Sequence, residues 1–199
     1  MLSRVLIFFG CALATPVVTS EKDLSSNLFS AIDIENKNLR GLNQPILQIE
    51  EYPELGWHEK YANRVLTDYL EKQGFNVTRG AYNLSTAFIA EYSNDKGRSV
   101  SFNAEYDALP DMGHACGHNL IATASVAAGL GVKNALKSGG LKGNVTILGT
   151  PGGGKAKLIQ TGAYDNLDCS LMAHPGPKVY MFYAEYPALM AARVDWTGG

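Results

Sequence analysis

The sequence predicts an α/β fold, a sheet with helices packed on its faces. Short apolar runs rich in β-branched residues alternate along the chain with longer segments of helical periodicity, which is the pattern of such folds. Hydrophobic residues make up 46% of the 199 residues, enough to bury a core. Charged residues make up 18% and the net charge is −2, so we expect neither disorder nor nucleic-acid binding.

The helices and strands can be assigned in chain order from the spacing of apolar residues. A helical pattern covers residues 23–52, and a clearer helix covers 62–70, where apolar residues recur every three or four positions before Gly74. Further helices are predicted over 119–137 and 155–164. Strands are predicted over residues 75–79, 87–92, 100–106, 144–148, 169–173, 179–183 and 189–196.

The N-terminal residues have the plan of a secretory signal peptide. Arg4 precedes the apolar stretch 5–14, and Ala12 and Ala14 supply the small residues that precede a cleavage site. Ten apolar residues are too few to span a bilayer. We expect a signal peptide over residues 1–20, cleaved after about residue 14–20, and a secreted, extracellular protein without a membrane partner. A buried first helix is the alternative.

Residues that carry chemistry follow the predicted strands, and ligands of open α/β sheets bind at those strand ends. The strand 100–106 leads into Glu105 and Asp107, and a loop with two histidines and a cysteine comes next. The strand 169–173 leads directly into another histidine. Four side chains at these ends are nitrogen or sulfur donors of the kind that binds zinc: His114, Cys116, His118 and His174.

The spacing of these donors favours a shared metal ion. Cys116 and His118 can reach one ion from an extended loop, because Gly117 between them permits a tight backbone path. A carboxylate such as Asp107 can orient an imidazole. The alternative is a polar loop with a buried cysteine and surface histidines. Two other residues are expected to be structural: Cys169 as a core residue and His58 as a helix-capping or surface residue.

A glycine-rich loop permits a competing interpretation. Gly149 is followed after four residues by Gly154 and Lys155, between a predicted strand and a predicted helix, which nearly matches a phosphate-binding P-loop. The match fails at Ala156, where a Ser or Thr would contact magnesium. A nucleotide-binding protein is therefore the less favoured alternative, and a flexible glycine-lined turn is the simpler one.

Three motifs in order resemble those of the M20 family of zinc metallopeptidases and amidohydrolases, the relatives of aminoacylase and carboxypeptidase G. They occupy residues 53–59, residues 105–119 and residues 171–175. The branch that cleaves dipeptides with a basic C-terminal residue is the most similar. The resemblance implies a three-layer, zinc-peptidase-like catalytic domain with a mixed sheet flanked by helices, its N-terminal part spanning residues 21–188. Residues 189–199 resemble the start of the lid and dimerisation domain, the rest of which is missing.

The resemblance also implies an activity. Cys116, His118 and His174 would bind one or two zinc ions, and Asp107 would orient a ligand from behind. His114 and Glu105 are further candidates for the site. The implied substrate is a dipeptide or an N-acyl amino acid, whose amide bond is hydrolysed by metal-activated water. Full-length relatives are expected to be homodimers, although this chain is not expected to dimerise in the same way.

One departure from the family predicts impaired activity. The family has two adjacent glutamates just after the position of Pro151, one the general base and the other a metal ligand. Here three glycines follow Pro151, and the next carboxylate is Asp165. The general base is therefore absent, and losing such a base typically costs about 10²–10⁴-fold in rate. The alternative hypothesis is a catalytically silent, metal-binding fragment or pseudoenzyme.

Overall fold

The structure, a computed structural model, describes residues 48–175. The helices are α1 (Lys60–Lys72), α2 (His118–Ser138) and α3 (Lys155–Gln160), after a helical turn over residues 48–51. The strands are β1 (Asn76–Arg79), β2 (Phe88–Asn94), β3 (Arg98–Glu105), β4 (Gly143–Thr150) and β5 (Cys169–Leu171). The predicted signal peptide, most of the helix over 23–52, and the strands over 179–183 and 189–196 lie outside the described residues.

The five strands form one mixed sheet in the order β1-β2-β4-β3-β5. β1 and β2 pair antiparallel, as do β2 and β4, whereas β3 is parallel to both β4 and β5. Helix α2 makes the crossover from β3 to β4 and packs on both strands. The mixed, helix-flanked sheet expected from the sequence is confirmed. The carboxyl ends of β3, β4 and β5 therefore lie along one edge of the sheet.

Two sequence-based assignments at the C-terminal side are wrong. The helix predicted over 155–164 ends at Gln160, because the chain turns at Gly162, which has a φ of +79°. Cys169 is exposed rather than part of the core. It lies on β5, which pairs only with β3 in the described part of the chain, and all three residues of β5 are exposed. An edge strand lacks the neighbours that would bury such a side chain.

Helix α1 packs on the sheet through an apolar stripe and ends at a glycine. Ala62, Leu66 and Leu70 recur at four-residue intervals and are all buried. At the C-terminus the Gly74 N–H donates to Glu71 O, and the next N–H donates to Leu70 O. This pair of hydrogen bonds is a Schellman motif, which requires a left-handed residue, and Gly74 supplies it with a φ of +78°.

The N-terminus of α1 is capped by a carboxylate from the preceding loop. The backbone N–H groups of Tyr61 and Ala62 each donate to one Glu54 carboxylate oxygen, both at 2.9 Å. Both groups belong to the first turn of the helix, where no intrahelical acceptor exists. His58 is exposed, so its expected surface location is confirmed and the capping is done by Glu54.

Helix α2 lies close against the sheet because its contact residues are small. A Cβ atom on Gly129 would lie 2.5 Å from Ile147 Cδ1, so only glycine permits this approach of α2 to β4. Ser125 Oγ donates to the carbonyl of Asn103 and so ties the helix to β3. Among the residues described, no helix combines the length and apolarity that a membrane crossing requires.

We predict that Glu54→Ala lowers the free energy of unfolding by about 1 kcal/mol, because two N–H groups of the first turn of α1 lose their acceptor. Urea denaturation followed by circular dichroism measures the loss. Glu51→Ala is the matched control, since Glu51 is an exposed carboxylate three residues earlier. Equal stability of the two variants would contradict the capping role.

Candidate metal centre

Three donor side chains meet at the carboxyl edge of the sheet. Cys116 Sγ and one ring nitrogen each of His118 and His174 all lie within 4.8 Å of one another. Cys116 and His118 belong to the segment that follows β3, and His174 follows β5. Because β3 and β5 are parallel neighbours, residues about 58 positions apart in sequence meet at one place. The prediction that these three residues come together at strand ends is confirmed.

The segment that carries Cys116 is a tight turn rather than the extended loop expected. The Gly117 N–H donates to His114 O at 2.8 Å, which closes a turn immediately before α2. Gly117 has a φ of +76°, a left-handed conformation that favours glycine. His118 is the first residue of α2. The turn and the helix start, rather than an extended path, therefore bring Cys116 and His118 together.

Asp107 fixes the ring of His118. His118 Nδ1 lies 2.7 Å from Asp107 Oδ1, and their side chains are only 14% and 12% exposed. The hydrogen bond to the carboxylate, reinforced by its negative charge, raises the pKa of His118 above its usual value, although burial opposes this rise. With Nδ1 committed to Asp107, Nε2 is the nitrogen left to bind a cation.

His174 is fixed in a similar way by a backbone oxygen. Its Nδ1 lies 2.7 Å from the carbonyl oxygen of Pro175, and since a carbonyl only accepts, Nδ1 carries the proton. Its Nε2 lies 3.5 Å from Cys116 Sγ. Pro175 also packs against Gly117, where a Cβ atom would lie 2.9 Å from the proline Cγ. Sequence patterns do not predict this carbonyl contact, because a backbone acceptor leaves no residue-type signature.

Cys116 lies in a negative field. Burial raises the pKa of its thiol, and the nearby carboxylates of Asp107 and Glu105 raise it further. The thiol is therefore protonated without a cation, and it donates to Nε2 of neutral His174. A thiolate and two neutral imidazoles are donors that suit zinc, and a bound cation favours the thiolate form. The residues present thus fit a soft or borderline divalent metal.

The two further candidates are not part of the three-donor cluster. Glu105 forms an ion pair with Lys155, and the Glu105 side chain is only 8% exposed. His114 lies outside the cluster within the described residues, and burial lowers the pKa of its ring. The structure therefore brings three of the predicted residues together, places Asp107 behind them, and gives Glu105 a different partner.

The glycine-rich loop is packed closely against the site. The Gly152 N–H donates to Glu59 Oε1 at 2.7 Å, and Glu59 is fully buried. A Cβ atom on Gly152 would lie 2.7 Å from Asp107 Oδ2 and 2.8 Å from Gly56 Cα. The sequence analysis missed Glu59, and its place in the first motif was the available signal. Lys155 is committed to Glu105, which disfavours the nucleotide-binding alternative.

Comparison with known proteins finds relatives over most of the described range. No family model matches the chain. It is 45% identical over 144 residues to the Xaa-Arg dipeptidase of Homo sapiens, covering 62% of this chain and 33% of that protein. It is 35% identical over 156 residues to a p-aminobenzoyl-glutamate hydrolase of Escherichia coli, covering 68% and 32%. The chain thus spans about a third of the length of these relatives.

Solved structures share the fold. A dinuclear metal-binding peptidase from the M20 family of Bacillus subtilis matches with a TM-score of 0.58 at 24% identity, covering 69% of this chain and 42% of that one. An aminobenzoyl-glutamate utilization protein of Klebsiella pneumoniae matches with a TM-score of 0.55 at 16% identity, covering 70% and 44%. By sequence and by fold, the chain belongs to the M20 family of metallopeptidases and amidohydrolases.

Proposed function

We propose that the protein is a zinc-dependent hydrolase of amide bonds in dipeptides or N-acyl amino acids, with low turnover in this chain. The observation that carries the proposal is the convergence of Cys116 Sγ and the His118 and His174 ring nitrogens within 4.8 Å. The relatives named for Xaa-Arg dipeptidase and p-aminobenzoyl-glutamate hydrolase activity support the substrate class. The substrate would be a small molecule with an amide bond next to a free carboxylate.

The residues of this chain prepare the site for a cation. Asp107 accepts the Nδ1 proton of His118, and the Pro175 carbonyl accepts that of His174, so each ring is held in one tautomer. Both rings then offer Nε2, and Cys116 offers sulfur once its proton is released. Zinc bound there would polarise the substrate carbonyl and activate a water molecule.

The carboxylates around the cluster already have partners, which supports low turnover. Asp107 accepts from His118, Glu105 is paired with Lys155, and Glu59 accepts from Gly152. A general base must accept a proton from water during attack. A catalytically silent metal-binding protein is therefore the second candidate, and the observation that favours it is the tightly packed Gly152 in place of a carboxylate.

The setting of the protein is also a proposal. We propose that residues 1–20 direct secretion and that residues 189–199 begin a further domain, and both segments lie outside the described residues. Sequencing the N-terminus of the protein recovered from culture medium tests secretion. A mature chain that begins after about residue 14–20 would support the signal peptide, and retention of Met1 in the cell would contradict it.

We predict that Cys116→Ser raises the zinc dissociation constant by about a hundredfold, because the hydroxyl replaces the soft sulfur donor. Competition with a chromophoric zinc chelator measures the constant. Cys169→Ser is the matched control, since Cys169 is an exposed cysteine outside the cluster. The same zinc affinity in both variants would contradict the assignment of Cys116 as a ligand.

We predict that Asp107→Asn lowers the pKa of His118 in the metal-free protein toward the ordinary value of about 6.5, since the hydrogen bond and negative charge that raise it are lost. NMR titration of the ring measures this pKa, with the exposed Asp111→Asn as control. The raised pKa stabilises the fold below pH about 6.5, and this contribution disappears as pH rises through the folded value. The stability lost by Asp107→Asn should accordingly be greater in acid than in alkali.

We predict that inserting two glutamates after Pro151 raises amidase turnover by about 10²–10⁴-fold, because it supplies a general base. Substituting Gly152→Glu should instead destabilise the fold, since a side chain there collides with Asp107 and Gly56. Hydrolysis of dipeptides with a C-terminal Arg or Lys and of N-acyl amino acids measures turnover. An insertion variant that folds and binds zinc but stays inactive on all of these substrates would contradict the proposed activity.

A further inference from the structure

We infer that Lys155 acts as a built-in cation that keeps Glu105 from binding metal, so that the site holds a single divalent ion on Cys116, His118 and His174. The inference rests on the metal centre of the proposed function. It concerns the number of ions and the strength of their binding, neither of which follows from the three donors alone.

The position of Lys155 carries the first step. It is the first residue of α3, directly after the glycine-rich loop, and its ammonium forms an ion pair with the carboxylate at the end of β3. The Lys155 side chain is 23% exposed and that of Glu105 is 8% exposed. The ammonium also lies 3.8 Å from Met172 Sδ, two residues before His174. Lys155 is thus held between the ends of β3 and β5, the two strands whose continuations carry the donors.

The electrostatic environment carries the second step. The Glu105 carboxylate acts on Cys116 and on His118, raising the pKa of each, so it lies within the field of the cluster. The Lys155 ammonium opposes this effect at His118. A positive charge at this place repels a divalent cation and neutralises the carboxylate that would otherwise attract one.

The oxygen donors around the cluster carry the third step. A second divalent ion would need carboxylate oxygens in addition to the three donors that the first ion uses. Asp107 is hydrogen-bonded to His118, and Glu59 accepts from the Gly152 backbone. Glu105 is the remaining buried carboxylate next to the cluster among the described residues, and Lys155 neutralises it.

The test is a zinc-binding comparison on the full 199-residue chain. We expect the unmodified protein to bind one zinc per chain, measured by mass spectrometry of metal content after removal of excess metal. We expect Lys155→Met to bind zinc about tenfold more tightly in chelator competition, because the repulsion disappears and Glu105 is released. Lys155→Arg keeps the charge and should bind as the unmodified protein does.

Lys157→Met is the matched control. Lys157 lies on the same helix, but its ammonium sits 4.9 Å from the ring centroid of Trp57 rather than on Glu105. We expect its zinc affinity to equal that of the unmodified protein. Circular dichroism checks that each variant is folded, and Lys155→Gln, which also removes the charge, replaces Lys155→Met if the latter does not fold.

The outcomes separate this inference from the proposed function. Two zinc ions per unmodified chain, or unchanged affinity in the folded charge-removing variant, would overturn the role of Lys155 and leave the metal centre in place. No zinc bound by the unmodified chain and by Lys157→Met would overturn the proposed metal centre itself. One zinc per chain with tighter binding in Lys155→Met alone supports the inference.

Discussion

The parallel pairing of β3 with both β4 and β5 is the constraint on which the rest of the site depends. It sends the continuations of all three strands to one edge of the sheet, and the side chains with metal-binding chemistry lie in those continuations. The pairing is itself held by the close packing of α2, which Gly129 permits by leaving room for Ile147. A larger residue at position 129 would push the helix away and shift His118, its first residue, relative to His174.

The segments that line the site are locked to one another by close contacts between backbones and buried acceptors. Gly152 approaches Gly56 and Asp107 so closely that it has no space for a side chain, and its N–H is bound by Glu59. Asp107 in turn holds His118. The first motif, the glycine-rich loop and the metal donors are thus one connected unit. A change in the loop therefore acts on the donors through Asp107.

The residue types at strand ends were sufficient to predict the α/β sheet and to bring Cys116, His118 and His174 together. What could not be predicted depends on tertiary context. Cys169 has an apolar sequence environment, yet it lies on an edge strand, and sheet order decides that exposure. The backbone acceptor of His174 leaves no mark in the sequence, and the capping of α1 by Glu54 acts across a loop whose path was unknown.

The short loop and the charge of Lys155 are two consequences of one structural feature. Four residues, Pro151 to Gly154, separate β4 from α3, and this length sets Lys155 at the first turn of the helix beside Glu105. A longer loop would carry the start of α3, and with it the ammonium, away from the strand end. Glu105 would then be left as a buried carboxylate without its cation, which is costly unless another cation binds there. Loop length therefore controls both the presence of a carboxylate base and the number of cations that the site accepts.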